Sequence, residues 1–147
     1  MTTPTTTAPT PLLQLGGATV SEHVPGEQTT DAFALLEFHV LNGSPTPPPH
    51  VHEHEDELSY VIEGVLEVTV GDTTRHVRAG ESVFKPRGVP HGFAAVGEEP
   101  VRFLEWIVPA GFEGYFHDVA DAVRESGSFD RDLADQLMSG YGVHTVA

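Results

Sequence analysis

Apolar residues along this chain fall in short, closely spaced runs, and glycine or proline interrupts nearly every one. Ala18 to Val24 reads as a first strand, followed by a polar turn from Pro25 to Asp31. Ala32 to Leu41 is almost continuously apolar, which suits a strand covered on both sides better than an edge. After the loop NGSPTPPP, the stretches LSYVIEG and VLEVTVG form two strands around Gly64 and end in a turn at Gly71-Asp72. Thr73 to Arg78 pairs back, Ser82 to Lys85 is short, and Gly92 to Val96 and Val101 to Val108 complete the set. Roughly eight to ten short strands with this punctuation predict an all-β sandwich or closed barrel.

Past Pro109 the spacing lengthens. Phe112, Phe116, Val119 and Val123 recur as one stripe of an amphipathic helix, with Asp118, Asp121 and Glu125 pointing away. A second helix, Asp130 to Met138, carries Leu133, Leu137 and then Tyr141 on one face and is stopped by Gly140 and Gly142. Both are expected outside the barrel or across one of its mouths. At the other end the start MTTPTTTAPTPLLQ is rich in Thr and Pro with little to bury, so residues 1–14 are expected to form a disordered arm. The chain thus divides into that arm, a barrel over residues 15–109, and a helical extension over residues 110–147.

Composition narrows the function. With 147 residues the chain suffices for one well-buried core, and 39% hydrophobic residues are compatible with a folded globule. Seven basic residues against 22 acidic ones give a formal charge of -15, which repels phosphate backbones and anionic membranes and attracts cations. No nucleic-acid or membrane partner is expected. The absence of cysteine restricts any metal to nitrogen and oxygen donors. The start lacks the basic and apolar segments of a signal peptide, so the reading is cytoplasmic.

The candidate chemistry lies in PPPHVHEHEDELSYVIEG, from Pro47 to Gly64. In an extended strand side chains two apart share a face, about 7 Å apart along the chain, so His50 and His52 can address one centre. Glu57 could return from the next strand as an oxygen ligand, and His91 comes from a second Pro/Gly-framed segment, GESVFKPRGVPHGF. His23, His39, His76, His117 and His144 have no partners along the chain and default to surface or supporting positions.

These residues resemble the two cupin motifs, and the spacing of the first implies that His54, with only two residues between it and Glu57, is a bystander. Gly43, His50, His52, Glu57 and Gly64 follow the first, with four residues between His52 and Glu57, six between Glu57 and Gly64, and one extra residue after Gly43. Gly80, Pro86, Gly88 and His91 follow the second, with Ala95 where the family has Asn. The run VPAGFEGYF and the later GYGV are similar to the carboxyl-terminal extension of quercetinase-like (flavonol dioxygenase-like) bacterial single-domain cupins. The resemblance implies an all-β cupin (double-stranded β-helix, jelly-roll) barrel with a short C-terminal helical extension. It implies one divalent transition metal ion (Fe, Ni, Mn, Co, Cu or Zn) held by His50, His52, Glu57 and His91, and a homodimer whose amino-terminal segment contributes to the interface.

The same resemblance implies a metal-dependent dioxygenase of a small aromatic or enol-type substrate, with Glu57 as both ligand and catalytic base. A metal-dependent isomerase or cyclase of a biosynthetic pathway, active without oxygen, and a non-catalytic small-molecule-binding barrel are the alternatives. For the substrate pocket, Phe93 follows His91 by two and faces the same interior, and Ser59 and Val61 follow Glu57 inward by the same parity. Phe112 and Phe116 are expected to cap the pocket from the first helix.

Overall fold

A computed structural model of the chain describes residues 3, 4, 6 and 8–146. Eleven strands and two helices follow one another as β1 (Thr10–Leu15), β2 (Ala18–Val24), β3 (Ala34–Val40), β4 (His50–His52), β5 (Asp56–Glu63), β6 (Val65–Val70), β7 (Thr73–Arg78), β8 (Ser82–Lys85), β9 (His91–Val96), β10 (Val101–Val108), α1 (Glu113–Ser126), α2 (Arg131–Gly140) and β11 (Val143–Thr145). Two antiparallel sheets face each other. One runs β1-β2-β3-β10-β5-β8 and the other β11-β4-β9-β6-β7. Side chains alternate across each strand, so the inward set of each sheet builds the core. Val101, Phe103 and Ile107 of β10 meet Ala34, Leu36, Phe38 and Val40 of β3 and Leu66 and Val68 of β6 in one buried cluster. Gly64, at the β5–β6 turn, has φ +78°, and a side chain there would run into the carbonyl of Pro100.

The expected strands are present, with three differences. The arm expected to be disordered contains β1, which pairs antiparallel with β2 from Thr10–Glu22 to Leu15–Ala18. Residues 1, 2, 5 and 7 of that arm lie outside the described residues. Its order comes from backbone pairing and from Leu12 and Leu13 packing on the core, which offset the weak strand propensity of Thr and Pro. Second, β3 is an internal strand but is not covered on both faces: Leu35 is half-buried and His39 exposed while the alternate residues are buried. Third, β11 returns from the helical extension to pair with β4, Val143 opposite His52 and Thr145 opposite His50. Three residues carry too little pattern to read as a strand, and their partner edge supplies the reason for their shape.

The helices lie over one mouth of the barrel. Phe112, Tyr115 and Val119 are buried from the first helical segment, which contacts β1. In α2 the buried residues are Ala134 and Met138, while Leu133, expected on the buried face, is 38% exposed. The Asp130 side chain caps α2 by accepting from the Leu133 N–H. Among the described residues no helix is long and apolar enough to cross a membrane.

Candidate metal centre

β4 and β9 are neighbours, with His50 directly opposite His91. Alternation within β4 places His52 on the same inner face as His50, and β5 brings Glu57 across from the other sheet. One donor atom from each of His50, His52, Glu57 and His91 lies within 4.8 Å of the other three, and all four residues are buried. The imidazole centroids are 5.1 Å apart for His50–His52, 4.6 Å for His50–His91 and 5.2 Å for His52–His91. Glu57 Oε1 sits 3.1 Å from Nε2 of both His52 and His91.

The outer ring nitrogens determine which atoms point inward. His50 Nδ1 is 2.9 Å from the Pro48 carbonyl, and His52 Nδ1 is 2.5 Å from Glu55 Oε1. Each of these leaves Nε2 for the centre, the arrangement in which a histidine ligand is oriented by its other nitrogen. His52 Nε2 is fully buried yet has no aligned hydrogen-bond partner. A buried polar atom without a partner, facing two imidazoles and a carboxylate, fits a divalent ion with three nitrogen donors and one oxygen donor. His54, the bystander, has a side chain 67% exposed.

Charge in this cluster follows from burial and neighbours. Burial, with the nearby His91, lowers His50 to about 4. Burial also lowers His91, which is neutral at physiological pH. For His52 burial acts downward too, but the hydrogen bond to Glu55 and the Glu57 carboxylate 3.1 Å away outweigh it and push the imidazole up to about 9. Burial would raise Glu57, yet the Lys85 ammonium and the His52 and His91 contacts hold it well below the usual carboxylate range. In the metal-free protein His52 therefore carries a proton that ion binding must displace.

A cavity of about 280 Å³ opens on the centre, floored by His50, Glu57 and His91 together with Lys85 and Glu105. Its walls are apolar and include Leu13 of β1, Val20, Phe38, Phe93, Phe116 and Met138. Three expected pocket residues, Phe93, Phe112 and Phe116, line it. Phe112 also packs edge-on against the His52 ring, centroids 4.7 Å apart. The other two do not line it. Ser59 faces inward but donates to Glu105 Oε2 at 2.8 Å, and Val61 is wholly buried in the core.

Three neighbours of the centre escaped the sequence reading: Glu55, Lys85 and Glu105. Lys85 and Glu105 are each 4% exposed, and Lys85 Nζ lies 2.7 Å from Glu105 Oε1. Burial, with Glu57 nearby, pushes Glu105 up to about 7, while burial of Lys85 is outweighed by the charges of Glu105 and Glu57, which raise it. Strand parity was the available signal. Glu105 shares its parity with Val101, Phe103 and Ile107, and Lys85 with Val83, so each is a charge at an inward position of an apolar strand.

The fold and site define a class: a cupin β-barrel with a short C-terminal helical part and a four-residue cluster able to hold one metal ion. A family model described as "Cupin domain" matches residues 36–107, just under half of the chain, and solved structures share the fold. Among curated proteins, the chain is 35% identical over 60 residues to polyketide synthase CurC of Streptomyces cyaneus, covering 41% of this chain and 39% of that protein. It is 43% identical over 51 residues to H2HPP isomerase of Bacillus subtilis, covering 31% and 22%. The chain spans less than half the length of these curated relatives. Among solved structures, polyketide cyclase RemF of Streptomyces resistomycificus superposes with a TM-score of 0.58 at 29% identity, over 74% of this chain and 80% of that one.

Proposed function

We propose that this barrel is a metal-dependent enzyme that cyclises or isomerises a small, oxygen-bearing aromatic or enol-type substrate. The observation that carries the reading is an apolar cavity that reaches the four-residue cluster through His50, Glu57 and His91. The cyclase and isomerase among its relatives support a non-oxidative reaction. A divalent ion held by the three Nε2 atoms and Glu57 would act as a Lewis acid toward a substrate oxygen. Glu57, ionised throughout the neutral range, accepts a proton at its carboxylate, and as a weak base it requires an acidic one, such as that of an enol, a phenol or a carbon between two carbonyls. Phe93, Phe112 and Phe116 hold the substrate's apolar part and exclude water.

The dioxygenase expected from the tail resemblance would use the same four donors and differ in needing oxygen. The test is turnover of a panel of phenols, enols and 1,3-dicarbonyls by metal-loaded protein, followed with an oxygen electrode. The expected result is product formation under anaerobic conditions that disappears in His91→Ala. Stoichiometric oxygen uptake would establish the dioxygenase instead. Tight ligand retention with no turnover at full metal loading would point to a binding protein.

A further inference from the structure

Lys85 occupies a position that the fold does not need it to fill. It sits opposite Glu57 in the β5–β8 register, on the inner face where Val83 packs two residues earlier. A buried lysine–glutamate pair is commonly replaceable by apolar residues without loss of stability, so its presence here calls for a use. Its ammonium has three protons. Among the described residues, the carboxylates within 4.0 Å of Nζ are Glu105 Oε1 at 2.7 Å and Glu57 Oε1 at 4.0 Å, the latter beyond hydrogen-bond length. Lys85 also lines the cavity beside His50, Glu57 and His91. Glu105 is itself anchored by Ser59, which donates to its other oxygen at 2.8 Å.

We propose that Lys85, braced by Glu105 and Ser59, is a second polar pole of the cavity that binds one oxygen of a substrate whose other oxygen reaches the His50, His52, Glu57 and His91 cluster. This inference rests on the metal-enzyme reading above and narrows its substrate class. The two poles approach the same Glu57 oxygen, so they select oxygen functions on nearby carbons, as in a 1,3-dicarbonyl, its enolate, or a hydroxyl beside a carbonyl. The charges agree. Three neutral imidazoles, one carboxylate and a divalent ion sum to one positive charge, the Lys85 ammonium adds to it wherever Glu105 takes up a proton, and an ionised substrate offsets that excess in an apolar cavity.

The test is calorimetric binding of pentane-2,4-dione and of pentan-2-one to metal-loaded protein, with metal content measured on every sample. Wild type is expected to favour the dione strongly. Lys85→Met should weaken dione binding about 10- to 100-fold, the scale of a charge-assisted hydrogen bond, and leave the monoketone unchanged at equal metal content. Should Lys85→Met fold poorly, the charge-neutral pair Lys85→Met with Glu105→Gln should show the same selective loss. Unchanged dione affinity, or an equal loss for both ketones, overturns the proposal. A fall in metal content with undiminished dione affinity per loaded site also overturns it, because Lys85 would then only position Glu57. Lys85-dependent dione binding without any turnover would remove the enzymatic reading and keep this pole. Turnover with no Lys85 dependence would do the reverse.

Discussion

Two buried polar clusters share this barrel interior, and they are built on opposite plans. In the histidine cluster each outer contact satisfies one atom and leaves another open: Pro48 holds Nδ1 of His50 and Glu55 holds Nδ1 of His52, so both Nε2 atoms face the centre. In the Lys85–Glu105–Ser59 cluster opposite charges meet: the Lys85 ammonium lies 2.7 Å from one carboxylate oxygen of Glu105, which has no aligned hydrogen-bond partner, and Ser59 donates to the other. The first is arranged to take up an ion. The second pairs its own charges, beside the cavity that Lys85 lines. Burial alone therefore does not distinguish a site that takes up an ion from one that pairs its own charges; the chemistry of the donor set does.

The largest expected effect is on ion binding. His91→Ala should lower metal affinity at least about 100-fold, measured by competition with a chelator, whereas Lys85→Met should leave it within a few-fold; equal losses would erase the difference in plan. Next comes the charge-paired cluster. Glu105→Leu leaves the Lys85 ammonium buried beside an apolar side chain and should cost about 3–5 kcal/mol in denaturant unfolding. The double variant Lys85→Met with Glu105→Leu should regain most of that stability, and a double variant as unstable as the single one would show that the two charges are not coupled.

A smaller effect is expected behind the ligands. Glu55→Gln retains the shape of the contact to His52 Nδ1 but removes its charge, and should reduce metal affinity about 10- to 100-fold with little change in unfolding.

A dependence on pH follows from the same cluster. In the metal-free protein His52 is raised to about 9 from the ordinary 6.5, so folding favours its protonated form. Its contribution to stability is complete below about pH 6.5 and disappears as pH rises through 9. Thermal unfolding of metal-free wild type should therefore lose stability across that window relative to His52→Gln. With the ion bound this slope should vanish, because the proton has already left.

The contrast between the clusters also explains what the sequence discloses. His50, His52 and Glu57 lie within eight residues, and His91 sits in its own Pro/Gly frame, so the ligand set is legible from local spacing. Glu105 and Lys85 become neighbours only because β10, β5 and β8 lie side by side in that order. Strand order is a property of the packed sheets, and period-two patterning reveals only that each charge points inward. The same limit hid β1, whose Thr and Pro content reads as solvated chain until β2 offers it an edge. In α2 the apolar spacing put Leu133 with Leu137 and Tyr141 on the packed face, whereas Ala134 and Met138 are the buried residues and Met138 lines the cavity.

The pairing of β11 with β4 ties the ion site to protein synthesis. The outer neighbour of the His50–His52 segment lies far downstream, with His144 reaching Glu53 across 91 positions. A nascent chain that has emerged only as far as His91 already carries all four donors, yet the outer flank of the strand bearing His50 and His52 is still open to water. Secure ion retention should therefore come late, after the ribosome has released Val143 to Thr145, and protein stalled or cut before that point should surrender its ion more readily to a chelator.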